Sequence, residues 1–256
     1  TIDFMRKAKR EIAFLENIRT LLLKDVPFKV QNATSLNTEY SEFSPAKYKD
    51  KLIFSSDRGT DMIFRTTGNG FYSLFKFSPD GFGIGTGAVH LFDKTLEENG
   101  THTACATFSK DGNTIVFVKS NNGRKKGSNS GTVEETDLFV SYFTEGKWSE
   151  PQMVSVSLPN VWESSPCFSA DDKFLYFSSI RQGGYGGIDL YRCAVLENGK
   201  FGPAYNLGSR INTSGNEMFP FVSGDGKLYF ASDGHAGLGG LDVFVATRDI
   251  SRNISS

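Results

Sequence analysis

The sequence predicts an all-β fold, a β-propeller of four-stranded blades with a short N-terminal α-helix. Three observations predict it. Short runs rich in Phe, Leu, Tyr and Ile alternate with Asp and Gly clusters, which is how strands joined by tight turns read; the composition agrees, with 23 Phe and 27 Gly. The stretch from Trp162 to Arg192 returns at Glu217 to Ala246, where Asp225-Gly226 makes the turn, Leu228-Tyr229-Phe230 the strand and Gly237 to Phe244 the glycine loop with its third strand. Phe54, Phe117, Phe177 and Phe230 fall on the second strand of successive units. Their spacing of roughly 50 to 60 residues, with four strands per unit, is the period of a propeller blade.

Ile2 to Leu23 is the one helical segment. Phe4 or Met5, Ala8, Ile12, Phe14 or Leu15, Ile18 and Leu22 recur at helical spacing, and Pro27 ends it. Glu11 and Glu16 interrupt its basic side. The helix is therefore expected to pack on a neighbouring domain or on the propeller rather than to bind nucleic acid.

The stretch Phe28 to Glu42 resembles Pro203 to Glu217: Asn37-Thr38 matches Asn212-Thr213, and Glu42 with Pro45 matches Glu217 with Pro220. Phe28 to Thr34 therefore reads as an outer strand of the kind that closes a repeat. The repeats follow. The first uses Glu42 to Tyr48, Leu52 to Ser56, Tyr72 to Phe77 and Ala88 to Phe92. The second uses Ala104 to Ser109, Thr114 to Lys119, Asp137 to Phe143 and Lys147 to Val156. The third uses Ser164 to Ser169, Phe174 to Ser178, Ile188 to Val195 and Phe201 to Leu207. The fourth uses Met218 to Ser223, Lys227 to Ala231 and Asp242 to Thr247. No blade buries both faces of its sheet alone, so blades must pack in a ring. Two closures fit, a ring of four blades or a truncated ring of five or six, and we favour the second. The domain organisation expected is a helical segment over 1–26 and a propeller over 27–256.

A formal net charge of −1 gives no reason to expect nucleic acid. No apolar run approaches the roughly 20 residues of a membrane helix. The chain opens on Thr1 with no signal peptide and reads as a piece cut from a longer protein. Cys105, Cys167 and Cys193 lack metal-site spacing and read as small buried apolar residues, with a Cys167–Cys193 disulfide as the alternative.

Gly81 to Gly87 and Gly183 to Gly187 resemble phosphate cradles, but neither leads from a strand into a helix. Asp111, Asp171-Asp172 and Asp225 fit hairpin turns rather than a calcium loop. His90, His102 and His235 have no paired spacing, so neither a metal centre nor a catalytic triad is expected. No cofactor is expected, and the chain reads as a non-enzyme. Asp57-Arg58, Arg181, Asp189 and Asp242 read as makers of hydrogen bonds inside blades. The loops Gln182 to Gly187 and Gly234 to Gly240 lie on one face of the ring, and Arg181, Tyr185, His235 and Leu238 are the candidate partner-binding residues there. The loop Asn121 to Glu135 reads as an insertion, with Arg124-Lys125-Lys126 as a candidate basic contact patch.

The motif Ser-x-Asp-Gly-x-x-Leu-x-Phe-x-Ser, with its later Asp-Leu/Val-Tyr/Phe, resembles the PD40 repeat, a WD40-like unit of TolB-type propellers. Asn216 to Phe221, Leu228 to Phe244, Tyr40 to Pro45 and Ile211 to Thr213 narrow the resemblance to the propeller of Bacteroidota OmpA-family lipoproteins, whose PorE-type members serve type IX secretion. That resemblance implies a periplasmic, outer-membrane-associated scaffold whose partners are envelope or secretion-system proteins. Peptidoglycan would be bound through an OmpA-like domain that this sequence does not contain, and no membrane span is implied. A propeller module that binds a glycan or small ligand is the alternative.

Overall fold

The computed structural model describes residues 31–247 apart from 60–61, 65–66, 81–85, 121–135, 159–160 and 198, together with eight positions between 4 and 18. Those eight are helical, but Phe4, Met5, Ile12 and Leu15 are exposed, so the expected packing of that apolar stripe on the propeller is not seen. Phe28 to Val30, the start of the expected closing strand, and the insertion with Arg124 to Lys126 lie outside the described residues; positions 31–34 carry no strand.

Four antiparallel sheets make the predicted all-β propeller. The first blade orders β1 (Glu42–Tyr48), β2 (Lys51–Ser56), β3 (Ser73–Pro79) and β4 (Gly87–Leu91). The second holds β5 (Thr103–Phe108), β6 (Thr114–Ser120), β7 (Thr136–Thr144) and two short pieces, β8 (Lys147–Trp148) and β9 (Gln152–Met153), that both pair with β7. One outer strand over Lys147 to Val156 was expected; Pro151, which has no N–H to give a ladder, falls between its two pieces. The third blade orders β10 (Glu163–Phe168), β11 (Phe174–Ser179), β12 (Asp189–Val195) and β13 (Phe201–Asn206). The fourth has β14 (Glu217–Val222), β15 (Leu228–Ser232) and β16 (Asp242–Ala246), with no further strand among the described residues.

First strands meet across the blades, β1 with β5, β5 with β10 and β10 with β14, which places them innermost. Each blade presents two faces. The leading face carries Phe54, Phe117, Phe177 or Phe230, all buried, and the trailing face carries the intervening residues of the same strands. Ile53 and Leu74 on the trailing face of the first blade share a core with Ile115 and Phe117 of the second. Val116 and Leu138 on the trailing face of the second share one with Leu175 and Phe177 of the third. Burying each such Phe or Leu stabilises by about 1.5–3 kcal/mol, so these seams supply the main apolar driving force.

Every first strand is bulged at its third residue. Ser44, Cys105, Ser165 and Phe219 have φ of 52°, 53°, 53° and 54°, a region non-glycine residues rarely enter, and the pairing register shifts around each. Pro45, Pro166 and Pro220 follow three of the four, where a ladder N–H is not needed. The Glu-x-x-Pro match seen in the sequence is this bulge.

All three cysteines are buried free thiols, so the Cys167–Cys193 disulfide does not form. Burial pushes the Cys193 thiol up to about 12.

Candidate functional site

Each first strand starts, each second strand ends and each third strand starts at one end of the blade, so those loops and the inter-blade connectors share one face. A repeated latch builds it. In the third blade Glu163 is fully buried and takes hydrogen bonds from Ser157 and Arg181, and Arg181 also donates through Nε to Ser179 Oγ at 3.1 Å and through Nη2 to the Val156 carbonyl at 3.2 Å. Its guanidinium lies over the Phe177 and Tyr191 rings, 4.9 and 5.0 Å from their centroids. In the first blade Arg58 reaches Glu42 Oε1 and the Leu36 carbonyl, both at 2.6 Å, Ser56 Oγ at 3.0 Å, and the Phe54 and Phe75 rings. The fourth blade has no arginine here. Glu217 accepts from Ser232 Oγ at 2.6 Å and from Thr213 N and Oγ1 at 2.8 and 2.6 Å, while His235 Nε2 pairs with the Ile211 carbonyl at 2.8 Å.

The second blade permutes the parts. Thr103 stands opposite Lys119, where the other blades place Glu opposite Ser. Lys119 pairs with Glu98 at 2.9 Å and lies 5.5 Å from the Phe139 centroid. The latch also grips the preceding blade: Leu190 N donates to Asn212 Oδ1 at 2.8 Å, Leu138 N to Ser157 Oγ at 3.1 Å and Leu74 N to Glu97 Oε1 at 3.2 Å. Burial pushes the Glu163 and Glu97 carboxyls up. Burial acts the same way on Glu42, but its bonds from Thr38 and Arg58 outweigh it and hold that carboxyl low.

Arg181 is thus turned into its blade. It makes the blade-internal hydrogen bonds that are one of its two sequence readings. His235 is half-buried, bonded to Ile211 and packed between Phe230 and Phe244. Tyr185 and Leu238 do face solvent, at 52% and 51% exposure. Asp189 accepts from Tyr185 N and Gly186 N, and Asp242 from Leu238 N and Gly239 N, so each aspartate shapes the loop that presents the exposed residue. A Cβ on Gly184 or Gly237 would collide with the Asp189 or Asp242 carboxylate. These glycines admit an aspartate rather than a phosphate.

Residues that the sequence did not single out join them. Ile63 bridges Gly70 to close a small hairpin in the first blade, and both Met62 and Ile63 are exposed. Phe64 and Phe71 anchor it against the His102 ring at 4.7 and 4.9 Å. The segment Gly59 to Gly70 fits the repeat poorly, and that departure was its signal. Leu158 and Ile180 add further exposed apolar side chains to this face. The opposite face differs in kind: its turns hold Asp50, Lys110, Asp111, Asp171, Lys173 and Asp225, all exposed or half-exposed. Ser109, Ser169 and Ser223 donate to Asp111, Asp171 and Asp225, which identifies those aspartates as turn residues. Among the described residues no group of three or more His, Cys, Asp or Glu could hold a metal.

No family model matches the chain. No curated protein matches it either. Among solved structures, TolB from Acinetobacter baumannii is similar with a TM-score of 0.50 at 18% identity, over 86% of this chain and 44% of its own. The fold is that of TolB-type propellers. The chain spans less than half the length of that TolB. A puromycin-hydrolyzing peptidase from Mycobacterium tuberculosis (TM-score 0.48, 16% identity, 83% of this chain and 29% of that one) is also similar. So is a gluconolactonase from Xanthomonas campestris (TM-score 0.48, 16% identity, 79% and 58%). These neighbours overturn the expectation that the chain is a non-enzyme, because propellers of this shape occur in hydrolases as well as in TolB. The OmpA-family resemblance finds no counterpart among them.

Proposed function

We propose that this chain is a periplasmic protein-interaction propeller that engages its partner through the face of second-to-third-strand loops and connectors. The observation that carries the reading is the asymmetry between the two faces. Met62, Ile63, Leu158, Ile180, Tyr185 and Leu238 project from one, beside the charged Lys94, Glu98 and Arg210 of its connectors, whereas the turns of the other expose mainly charged residues and Leu196 alone of the large apolar ones among the described residues. Exposed apolar and aromatic side chains on rigid loops are the usual anchors of protein interfaces. The latch keeps those loops in place, since the first-strand glutamates beneath them are already hydrogen-bonded within the first, third and fourth blades. The similarity to TolB supports the periplasmic setting. The finer form of the reading, outer-membrane association in a secretion assembly of the cell envelope, rests on the motif resemblance alone.

A double variant tests it. Tyr185→Ser with Leu238→Ser should leave the melting temperature unchanged and lower recovery of the partner from envelope extracts at least tenfold. Unchanged recovery, or recovery of glycan in place of protein, overturns the reading.

A further inference from the structure

The three histidines differ in the bonds their rings make. His235 Nε2 lies 2.8 Å from the Ile211 carbonyl, which can only accept, so Nε2 carries the ring proton. A second proton, on Nδ1, leaves that bond intact. His90 is exposed on β4, opposite Lys76. His102 is the reverse of His235. Its Nδ1 accepts from Tyr72 N at 3.1 Å, and a backbone N–H can only donate, so Nδ1 is bare and the neutral ring keeps its proton on Nε2. A proton added to this ring goes to Nδ1 and sets N–H against N–H.

That bond pins the root of the hairpin that carries Met62 and Ile63. Tyr72 joins the hairpin to β3, and the hairpin is closed by the Ile63–Gly70 bridge and by Phe64 N donating to the Asn69 carbonyl at 2.7 Å. The rings of Phe64, Phe71 and Tyr72 stand 4.7, 4.9 and 5.0 Å from the His102 ring, a box whose aromatic faces can hold a cation. His102 itself precedes β5, and its backbone is tied to Ser120 at the end of β6 by bonds of 2.8 and 3.0 Å. The histidine is thus fixed to the second blade, while the hairpin belongs to the first. The charged groups of the surrounding elements are engaged elsewhere: Glu97 with Ser73 and Leu74 N, Glu98 with Lys119, Asp57 with Ser41 N and Arg58 with Glu42. Asp137 stands opposite Lys119 on β7, and Asp61 and Arg65 of the hairpin lie outside the described residues.

We propose that His102 is a pH-sensitive clasp for this hairpin. With Nδ1 bare it holds Tyr72 and keeps Met62 and Ile63 presented; with Nδ1 protonated it releases Tyr72 and weakens docking of the partner. The docking half of the proposal rests on the loop-face reading above. An imidazole ordinarily titrates near pH 6.5, so the clasp is shut at neutral pH and opens as the pH falls below about 6. The amide it releases lies in a half-buried residue and has lost its acceptor, and an unmet donor is costly enough that the root of the hairpin must shift to satisfy it. The aromatic box accommodates the imidazolium, so the ring stays and the Tyr72 bond yields. His235, whose bond survives protonation, keeps the Gly234 to Gly240 loop in place at both pH values.

Amide hydrogen exchange of the purified chain, resolved by NMR at about pH 7.5 and about pH 5 and corrected for the intrinsic pH dependence of exchange, is the test. Protection of the Phe64, Gly68 and Tyr72 amides should fall roughly tenfold at the lower pH, the scale of one lost hydrogen bond. The Gly234 and His235 amides, bonded to Ser232 Oγ, should keep theirs. His102→Asn, whose Oδ1 can accept from Tyr72 N without titrating, should abolish the response, and Glu97→Gln should keep it. In the wild type the Tyr72 amide resonance should titrate together with the His102 ring. Protection independent of pH, a Tyr72 amide that does not follow the ring, or a response that survives His102→Asn overturns the clasp. With a photoreactive residue in the intact envelope, the adduct from Ile63 should fade at the lower pH while that from Tyr185 persists, and an Ile63 adduct of equal yield at both overturns the docking half. No adduct from Ile63, Tyr185 or Leu238 at neutral pH overturns the loop-face reading instead, and the exchange measurement still decides the clasp.

Discussion

Arg58 in the first blade repeats Arg181 in the third, contact for contact: each guanidinium joins the first-strand glutamate, the hydroxyl that ends the second strand, the carbonyl of the preceding connector and two aromatic rings. Breaking a buried pair by removing one partner leaves an uncompensated charge and costs about 3–5 kcal/mol. Arg181→Ala, which strands the fully buried Glu163, should destabilise by about that much in urea unfolding. Arg58→Ala should cost less, because Glu42 is partly exposed and keeps its Thr38 bonds. Equal losses would mean that burial does not set the strength of the latch.

The bulges make a backbone prediction. Ser165 has φ of 53°, which glycine adopts without strain. Ser165→Gly should therefore be neutral or stabilising by up to about 1 kcal/mol, and Ser165→Val should destabilise by about 1–3 kcal/mol. Thermal unfolding of the two variants decides it, and a stable Val variant would show the bulge to be unstrained.

Burial raises the thiols of Cys105, Cys167 and Cys193. A thiolate is the reactive form, so the native protein should present no rapidly titrating thiol at pH 8 and three after denaturation. Fast native labelling of any of them would contradict the packing of the first and third strands.

Glu97 gives a pH dependence. Burial raises its carboxyl above the usual 4.5 despite the bonds from Leu74 N and Ser73 Oγ. The folded chain therefore holds this proton more tightly than the unfolded one. Its contribution is complete below pH 4.5 and is lost as pH rises through the raised value. Glu97→Gln keeps an acceptor without the charge. The difference in melting temperature, variant minus wild type, should be more positive at pH 7 than near pH 4, and a difference independent of pH would contradict this.

The sequence showed the blades because a propeller repeats its signals. The second-strand phenylalanines sit on leading faces, the Ser-x-Asp-Gly segments form hairpin turns, and Glu42 aligns with Glu217 because both receive the same threonine bonds. Latch partners were less visible. Arg181 and Val156 lie far apart in the chain, and side-chain direction decides whether an arginine faces a partner or its own blade. The hairpin at Met62 and Ile63 showed only as a segment that breaks the repeat, and a departure from a repeat gives no sign of which side chains it exposes.

Site-specific photocrosslinking in the intact envelope tests the central claim most directly. A photoreactive residue at Ile63, Tyr185 or Leu238 should give one discrete protein adduct, and the same group at Asp171, Lys173 or Asp225 on the charged face should give none. Adducts from the charged face alone, or from neither face, would contradict the assignment of the loop face as the partner-binding surface.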